Sequence, residues 1–298
     1  MPHATKPLAS TVSDVALIFE GGGMRASFTS AVVVTLLAAG LHLDWVAGIS
    51  AGASNLANYL SRDGLRARRS FVDFADDPRF GGVTSFLKGQ GFFNAAHIYE
   101  HTSGPGQALP FDFATFLANP ARRRIGAFEA DTGRMVYWGG RDLATRQDLM
   151  RRVRASSTMP MLMPAVHLDG HVYVDGALGP AGGIALDAAR HDGFRRFFVV
   201  LSQERSYVKR PTPGRILQHA WFRRYPAVPA ALDVRWRRYN RTREELFDLE
   251  SAGAAYLFVP ETMTVTNHTR SVPALRASFE AGLAQARREL PRWRDFLG

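Results

Sequence analysis

The 298-residue chain contains no cysteine, only three lysines and no long uninterrupted hydrophobic segment. The lack of cysteine excludes disulfides, thiol nucleophiles and cysteine-ligated zinc sites, and it fits a reducing compartment. The longest apolar stretch, around residues 31–41, is well short of the ~20 residues that a membrane-spanning helix needs. The first fourteen residues show neither the basic nor the apolar region of a secretion signal. We therefore expect a cytoplasmic protein that is at most peripherally bound to a membrane.

The positive charge is concentrated in one segment, residues 205–243. It holds eleven Lys or Arg and one acid, Asp233, and so accounts for the net charge of +10. Arginines beside aromatic residues suit an anionic lipid surface, although a solvated arginine-rich face is the simpler alternative. Nucleic acid is not expected as a partner, because no nucleic-acid motif accompanies the charge. The interspersed aromatic residues are Trp221, Phe222, Tyr225, Trp236 and Tyr239.

Two strand–turn–helix units open the chain. Apolar runs at 15–19 and 45–49 predict buried strands, and residues 26–39 and 51–60 predict helices. This alternation is typical of a parallel sheet covered by helices on both faces. Further strands are predicted at 124–129, 134–138, 166–168, 171–174, 197–201 and 256–259, with helices at about 242–251 and 273–290. The sequence thus predicts an α/β fold: a three-layer α/β/α sandwich around a mainly parallel sheet.

Regular structure is interrupted between residues 78 and 110, which are rich in glycine and aromatic side chains. An irregular segment of this length is uncommon unless it covers or lines a site. Its aromatic residues could form a lid, contact lipid, or simply pack against the core.

A serine stands between the second predicted strand and its helix, in the pattern Gly48-x-Ser50-x-Gly52. Flanking glycines allow a sharp bend that exposes a nucleophilic hydroxyl at the carboxyl edge of the sheet. The alternative is a turn of small residues that only lets strand and helix pack closely.

The first strand runs into a glycine-rich loop, Gly21-Gly22-Gly23-Met24-Arg25-Ala26. Its backbone N–H groups and the helix that follows could hold the oxyanion of an ester reaction, with Arg25 adding positive potential. Spacing in this loop also fits a dinucleotide fingerprint. That fingerprint requires an acid at the end of the next strand, whereas the nearest acid, Asp44, precedes that strand.

Asp175 ends the predicted strand 171–174 and is followed by Gly176 and Ala177. An aspartate here could simply form a turn. In a dry site its pKa would rise, and it could then accept the Ser50 proton without a histidine.

Together, the GGGMRA loop, the GISAG turn and the DGA segment resemble the patatin-like phospholipase family, particularly its bacterial members. The resemblance implies a catalytic core over residues 14–201, with residues 202–298 as a basic, helical extension packed on the same domain. One departure is Ala26, where the family usually has glycine.

The resemblance further implies hydrolysis of lipid acyl esters by a Ser50–Asp175 dyad through an acyl-serine, with no metal or organic cofactor. Gly21, Gly22, Gly23 and Arg25 would form the oxyanion hole. An acyltransferase that shares the serine turn, or a lipid-surface binding protein without activity, are the alternatives.

Other polar residues remain open as candidates. His191, His219 or His268 could complete a Ser–Asp–His triad, although each stands in an ordinary context. His167, Asp169 and His171 alternate as metal ligands would, but the Asp169-Gly170 turn breaks their common face. Met159, Met161 and Met163 could fill the core or line an acyl pocket.

Overall fold

The computed structural model describes residues 8–298. The expected absence of a leader falls partly on residues 1–7, which lie outside the described residues. The strands are β1 Val15–Phe19, β2 Trp45–Ile49, β3 Arg122–Glu129, β4 Met135–Trp138, β5 Val166–Leu168, β6 His171–Asp175, β7 Arg196–Val200 and β8 Ala255–Phe258. The helices are α1 Ala26–Ala38, α2 Ala51–Leu60, α3 Gly64–Phe71, α4 Val83–Leu87, α5 Phe113–Ala118, α6 Arg146–Ser156, α7 Leu186–His191, α8 Arg215–Trp221, α9 Ala227–Ser251 and α10 Val272–Leu297.

The strands form one sheet in which hydrogen-bonded neighbours follow the order β5-β6-β3-β2-β1-β7-β8. Strand β4 pairs with β3 along the edge opposite the one used by β2 and β6. Five neighbouring strands, β3-β2-β1-β7-β8, run parallel, whereas β4, β5 and β6 add antiparallel pairs at one side. This arrangement confirms the predicted α/β fold with a mainly parallel sheet. The last parallel strand, β8, comes from residues beyond 201, so the C-terminal part of the chain completes the sheet.

Side chains of β1 alternate between two hydrophobic cores. Val15, Leu17 and Phe19 pack on the face covered by α1, α2 and α10. Ala16 and Ile18 pack on the opposite face, against α7 and α9. A strand buried on both faces reads as a continuous apolar run, because neither set of side chains meets water. Each large aliphatic or aromatic side chain buried in this way contributes about 1.5–3 kcal/mol.

Helix α9 is much longer than predicted, since it starts at Ala227 and not near residue 242. The charges of the basic segment hid its helical period. Most of its buried residues follow the three- and four-residue spacing of one helix face, namely Val228, Ala231, Leu232, Tyr239, Thr242, Arg243 and Leu246. Helix α10 similarly continues past Pro291, because Trp293 and Leu297 beyond it are buried.

The predicted hairpin of β5 and β6 is present. Asp169 and Gly170 form its two-residue turn, and both have positive φ, at 52° and 84°. This is the backbone of a type I′ turn, which matches the twist of the paired strands. None of the helices in residues 8–298 is long and apolar enough to cross a membrane.

Candidate active site

Ser50 occupies the turn between β2 and α2 in a strained conformation, with φ 57° and ψ −128°. Such a conformation costs a non-glycine residue about 1–3 kcal/mol. A Cβ on Gly48 would lie 2.2 Å from the Gly52 carbonyl oxygen, and one on Gly52 would lie 2.1 Å from that of Phe19. Only glycine fits at either position. The resulting close packing holds the Ser50 side chain at the carboxyl edge of the sheet.

Strand β3 brings Ser50 and Asp175 together. Ile49, which precedes Ser50, pairs with Gly126, and Asp175 pairs with the next residue, Ala127. Strand β4 pairs with residues 125–128 of β3, and some of these residues also pair with β2 and others with β6. Since a strand has only two edges, β4 occupies one edge of β3, and β2 and β6 share the other. They run in opposite directions along that edge. Their carboxyl ends, and with them the two side chains, therefore meet head to head.

Asp175 and Ser50 are equally buried, and each retains 7% of its accessible surface. Burial raises the pKa of Asp175, opposed by the Arg235 guanidinium, the Ala177 N–H and the nearby Ser50 hydroxyl. The Ala177 N–H donates to Asp175 Oδ1 at 2.8 Å and fixes the carboxylate. A Cβ on Gly176 would lie 2.5 Å from the Gly126 carbonyl oxygen, so this position also requires glycine. A carboxylate with a raised pKa is a better proton acceptor for a hydroxyl.

The carboxyl end of α6 supports both strand ends. Ser156 accepts a hydrogen bond from the Ser50 N–H at 2.8 Å and donates one to the Gly126 carbonyl at 2.6 Å. The Asp175 N–H donates to the Thr158 carbonyl at 2.8 Å. Ser156 is fully buried. Sequence reasoning missed this residue and its helix, because a charged stretch with few apolar side chains gave no clear helical period.

The glycine-rich loop lies directly beside Ser50. A Cβ on Gly21 would lie 3.0 Å from Ser50 Cβ. The Gly21 N–H donates to the Gly183 carbonyl and the Met24 N–H to the Asn267 carbonyl, which anchor the two ends of the loop. Between these anchors, Gly22 and Gly23 line the same pocket as Ser50, and so does Arg25. Gly23 has φ +56°, which favours glycine at the bend.

An apolar pocket opens on one side of Ser50. The irregular segment 78–110 contributes much of its wall, as do two of the methionines considered above. Tyr99, placed by a π-helical turn over Ala96–Glu100, lies in this wall with its hydroxyl near those of Ser54 and Ser157. The lining residues from these two regions are Phe80, Phe93, Ile98, Tyr99, Leu109, Met159 and Met163. Segment 78–110 therefore lines the site.

A second pocket at Ser50 also contains Asp175, and we call it the polar pocket because charged side chains lie in its wall. Residues of the basic segment form its far wall, among them Lys209 and Arg235. Arg235 Nε donates to the Ala177 carbonyl at 3.2 Å, and Arg238 donates to the Leu178 carbonyl at 3.0 Å. Part of the basic segment is thus turned towards the site, while other arginines of the segment are exposed.

The family model for patatin-like phospholipases matches residues 17–185, more than half of the chain. The chain belongs to the patatin-like phospholipase family. A second family model, for a domain of unknown function (DUF6363), matches residues 225–298. The family predicted from the three motifs is confirmed. Patatin-like phospholipases are lipid acyl hydrolases, and a lipid ester is accordingly the substrate class to test.

Among the proteins similar to this patatin-like chain are one curated protein and one solved structure. The uncharacterized protein YjjU of Escherichia coli (strain K12) is 28% identical over 189 residues, which are 62% of this chain and 51% of that protein. The chain therefore spans about half the length of this curated relative. The crystal structure of VipD from Legionella pneumophila matches with a TM-score of 0.48 at 12% identity, over 98% of this chain and 72% of that one.

In residues 8–298, no hydrogen bond joins Ser50 or Asp175 to any of the three histidines considered as triad members. His191 is exposed at the end of α7, and His219 contacts Asp233 at 3.0 Å. His268 stacks on Phe93 with ring centroids 6.0 Å apart. In the described part of the chain, no histidine lines either pocket.

The residues considered as metal ligands do not converge. Asp169 accepts a hydrogen bond from Arg152 at 2.7 Å, whereas His171 turns to Asp131, also at 2.7 Å. His167 is exposed on β5. Asp44, the acid considered for a dinucleotide, stands before β2, at the strand end remote from the glycine-rich loop.

Proposed function

We propose that this chain is a serine acyl hydrolase of phospholipids or related lipid esters. The observation that carries the proposal is the meeting of Ser50 and Asp175 along one edge of β3, beside the glycine-rich loop. In the proposed reaction, Ser50 Oγ attacks the ester carbonyl while Asp175 accepts its proton. The N–H groups of Gly22 and Gly23 stabilise the oxyanion, assisted by the positive potential of Arg25.

The intermediate then collapses, and Asp175 returns the proton to the departing alcohol. A water molecule, deprotonated by Asp175, attacks the acyl-serine, and the fatty acid leaves as Ser50 regains its proton. The apolar pocket suits the acyl chain, and the polar pocket suits the alcohol part of the ester. Each group in this cycle belongs to the chain, so the proposed cycle uses neither metal nor cofactor.

Labelling with a fluorophosphonate probe tests this proposal. We expect a single modified residue, Ser50, mapped by peptide mass spectrometry, and no labelling of Ser50→Ala. Turnover of a short p-nitrophenyl ester should fall by about 10³-fold or more in Ser50→Ala. Labelling at a different serine, or wild-type turnover by Ser50→Ala, would refute the assignment. An acyltransferase would instead transfer acyl groups from acyl-CoA to an added acceptor faster than to water.

We further propose that the enzyme contacts anionic membranes through α8 and the arginines after it. Ile216, Leu217 and Trp221 keep 89%, 59% and 61% of their accessible surface. Arg223 and Arg224 are exposed next to them. Arginines flanking exposed apolar side chains favour the interface of an anionic bilayer. The buried residue of the same helix, Gln218, lines the polar pocket, so a membrane on the outer face of α8 would lie near the entrance of the site.

A further inference from the structure

Lys209 and Arg235 place two positive charges on the wall of the polar pocket, in a part of the chain outside the patatin match. In residues 8–298, neither side chain has a carboxylate oxygen within 4.0 Å. Arg235 uses one N–H to hold the Ala177 carbonyl. The rest of its guanidinium fork remains available for a ligand.

Lys209 is held in place by helix α9. Its N–H donates to Asn240 Oδ1 at 2.9 Å, and its carbonyl accepts from Asn240 Nδ2 at 3.0 Å. Its ammonium lies 4.8 Å from the ring centroid of Tyr239 and 5.8 Å from that of Tyr207. The two hydrogen bonds to Asn240 fix the backbone of Lys209, and the two tyrosine rings restrict its long side chain before a ligand binds. This restriction lowers the conformational entropy lost on binding.

Lys209 and Arg235 line the same pocket, and their like charges repel each other. Burial is the largest of the causes that together lower the pKa of Lys209 to about 8. The charges of Arg235 and Arg25 act in the same direction, and those of Glu20 and Asp175 oppose them. Glu20 already accepts hydrogen bonds from the Tyr239 hydroxyl and the Ser202 N–H. Lys209 is therefore mainly charged at neutral pH, and an anion entering between it and Arg235 would relieve the repulsion.

We infer that Lys209 and Arg235 form a binding site for a phosphate ester anion on the alcohol side of the scissile ester, so that the enzyme prefers lipids with an anionic headgroup. The inference rests on the proposed function, because it assigns the polar pocket to the alcohol part of the substrate. Arginine binds phosphate through its planar fork, and lysine adds a compact charge.

The test compares two monomeric substrates, dihexanoyl phosphatidic acid and dihexanoylglycerol, below their aggregation limits so that no lipid surface contributes. The measured quantity is the ratio of kcat/KM for the anionic over the neutral ester at pH 7.5. We expect this ratio to fall by about tenfold or more in Lys209→Gln and in Arg235→Gln. Lys209→Arg should retain the wild-type ratio, because the positive charge remains. Arg237→Gln is the matched control and should also retain it, because Arg237 is an exposed neighbour in α9.

If the two cations serve only to stabilise the Asp175 charge, both substrates will lose activity equally and the ratio will not change, which overturns the inference. A binding arm separates that failure from failure of the proposed function. Ser50→Ala protein, which cannot form the acyl-serine, is titrated calorimetrically with each lipid and with inorganic phosphate. The inference is supported if Ser50→Ala protein binds the anionic lipid more tightly than the neutral lipid and the double variant Ser50→Ala with Lys209→Gln does not. This result would support the site even if the wild-type protein showed no turnover. Equal binding of both lipids, or binding of inorganic phosphate alone, contradicts it.

Discussion

The N–H of Ser50 donates to the hydroxyl of Ser156 at 2.8 Å, and that hydroxyl in turn donates to the Gly126 carbonyl. One buried side chain thus links the strained serine turn to the strand that positions Asp175. The backbone of Ser50 is held from outside the turn as well as by the glycines within it.

Ser156→Ala should leave a buried donor and a buried acceptor without partners, each costing about 1–3 kcal/mol. We expect kcat for a p-nitrophenyl ester to fall about tenfold or more with KM little changed, because the substrate contacts remain while the Ser50 geometry loosens. The matched control is Ser30→Ala, since Ser30 is equally buried in α1 and its hydroxyl donates to the Ser27 carbonyl one turn before it in the same helix. A wild-type kcat in Ser156→Ala would show that the link does not position Ser50.

The decline in rate at acid pH, the acid limb of the pH–rate profile, should reflect the protonation of Asp175. Burial raises the pKa of Asp175, and in the proposed cycle its ionised form accepts the proton. We therefore expect kcat/KM to decline as pH falls through a value above the ~3.9 of an ordinary aspartate. Arg235→Gln removes the strongest opposing influence, so the limb should move to higher pH. Rates on a p-nitrophenyl ester from about pH 3 to 8 measure the position of the limb in the wild-type protein and its shift in Arg235→Gln. A limb at or below the ordinary value would contradict the proposed base.

Asp175→Asn should abolish turnover yet stabilise the protein at neutral pH. The pKa of Asp175 is raised in the folded state, so the folded protein binds this proton more tightly than the unfolded chain. Its contribution to the free energy of unfolding therefore falls as pH rises above the unfolded value. The amide introduced by Asp175→Asn carries no charge, so the substitution removes the free-energy cost of a buried, ionised carboxylate at neutral pH. Melting temperatures at pH 7 and pH 5 are the measurement, and the gain should shrink at the lower pH.

A lower melting temperature for Asp175→Asn at pH 7 would count against a desolvated, charged Asp175. Ser50→Ala provides the comparison, because it also stops turnover but carries no charge change.

Charge reversal on the outer side of α8 should weaken binding to anionic vesicles. Each cation near such a surface contributes about 1 kcal/mol, so Arg223→Glu with Arg224→Glu should reduce the partition coefficient about tenfold or more. Co-sedimentation with phosphatidylglycerol vesicles measures it, and melting temperature verifies folding. Arg292→Glu with Arg294→Glu, on exposed positions of α10, is the control pair. Equal loss in both pairs would indicate a general charge effect and not a contact through α8.

The serine turn and the orientation of Arg235 differ in how far the sequence could predict them. The turn around Ser50 was predictable from the sequence, because the flanking Gly48 and Gly52 indicate a sharp bend. The close contacts that require these glycines involve the turn itself and the neighbouring strand. The inward orientation of Arg235 was not predictable, because the same charge pattern fits a wholly solvated face. The apolar residues of α9 recur with a helical period in the sequence, but the arginines between them masked it.

The sequence by itself determined the elements that depend on neighbouring residues: the strands, the serine turn, the glycine-rich loop and the family. Local sterics and hydrophobic period suffice for these. Only the tertiary structure decided that Ile49 and Asp175 pair with consecutive residues of β3, that Ser156 supports Ser50, and that Lys209 lies near Arg235. These relationships depend on strand register and helix packing between distant segments, and no local pattern specifies them.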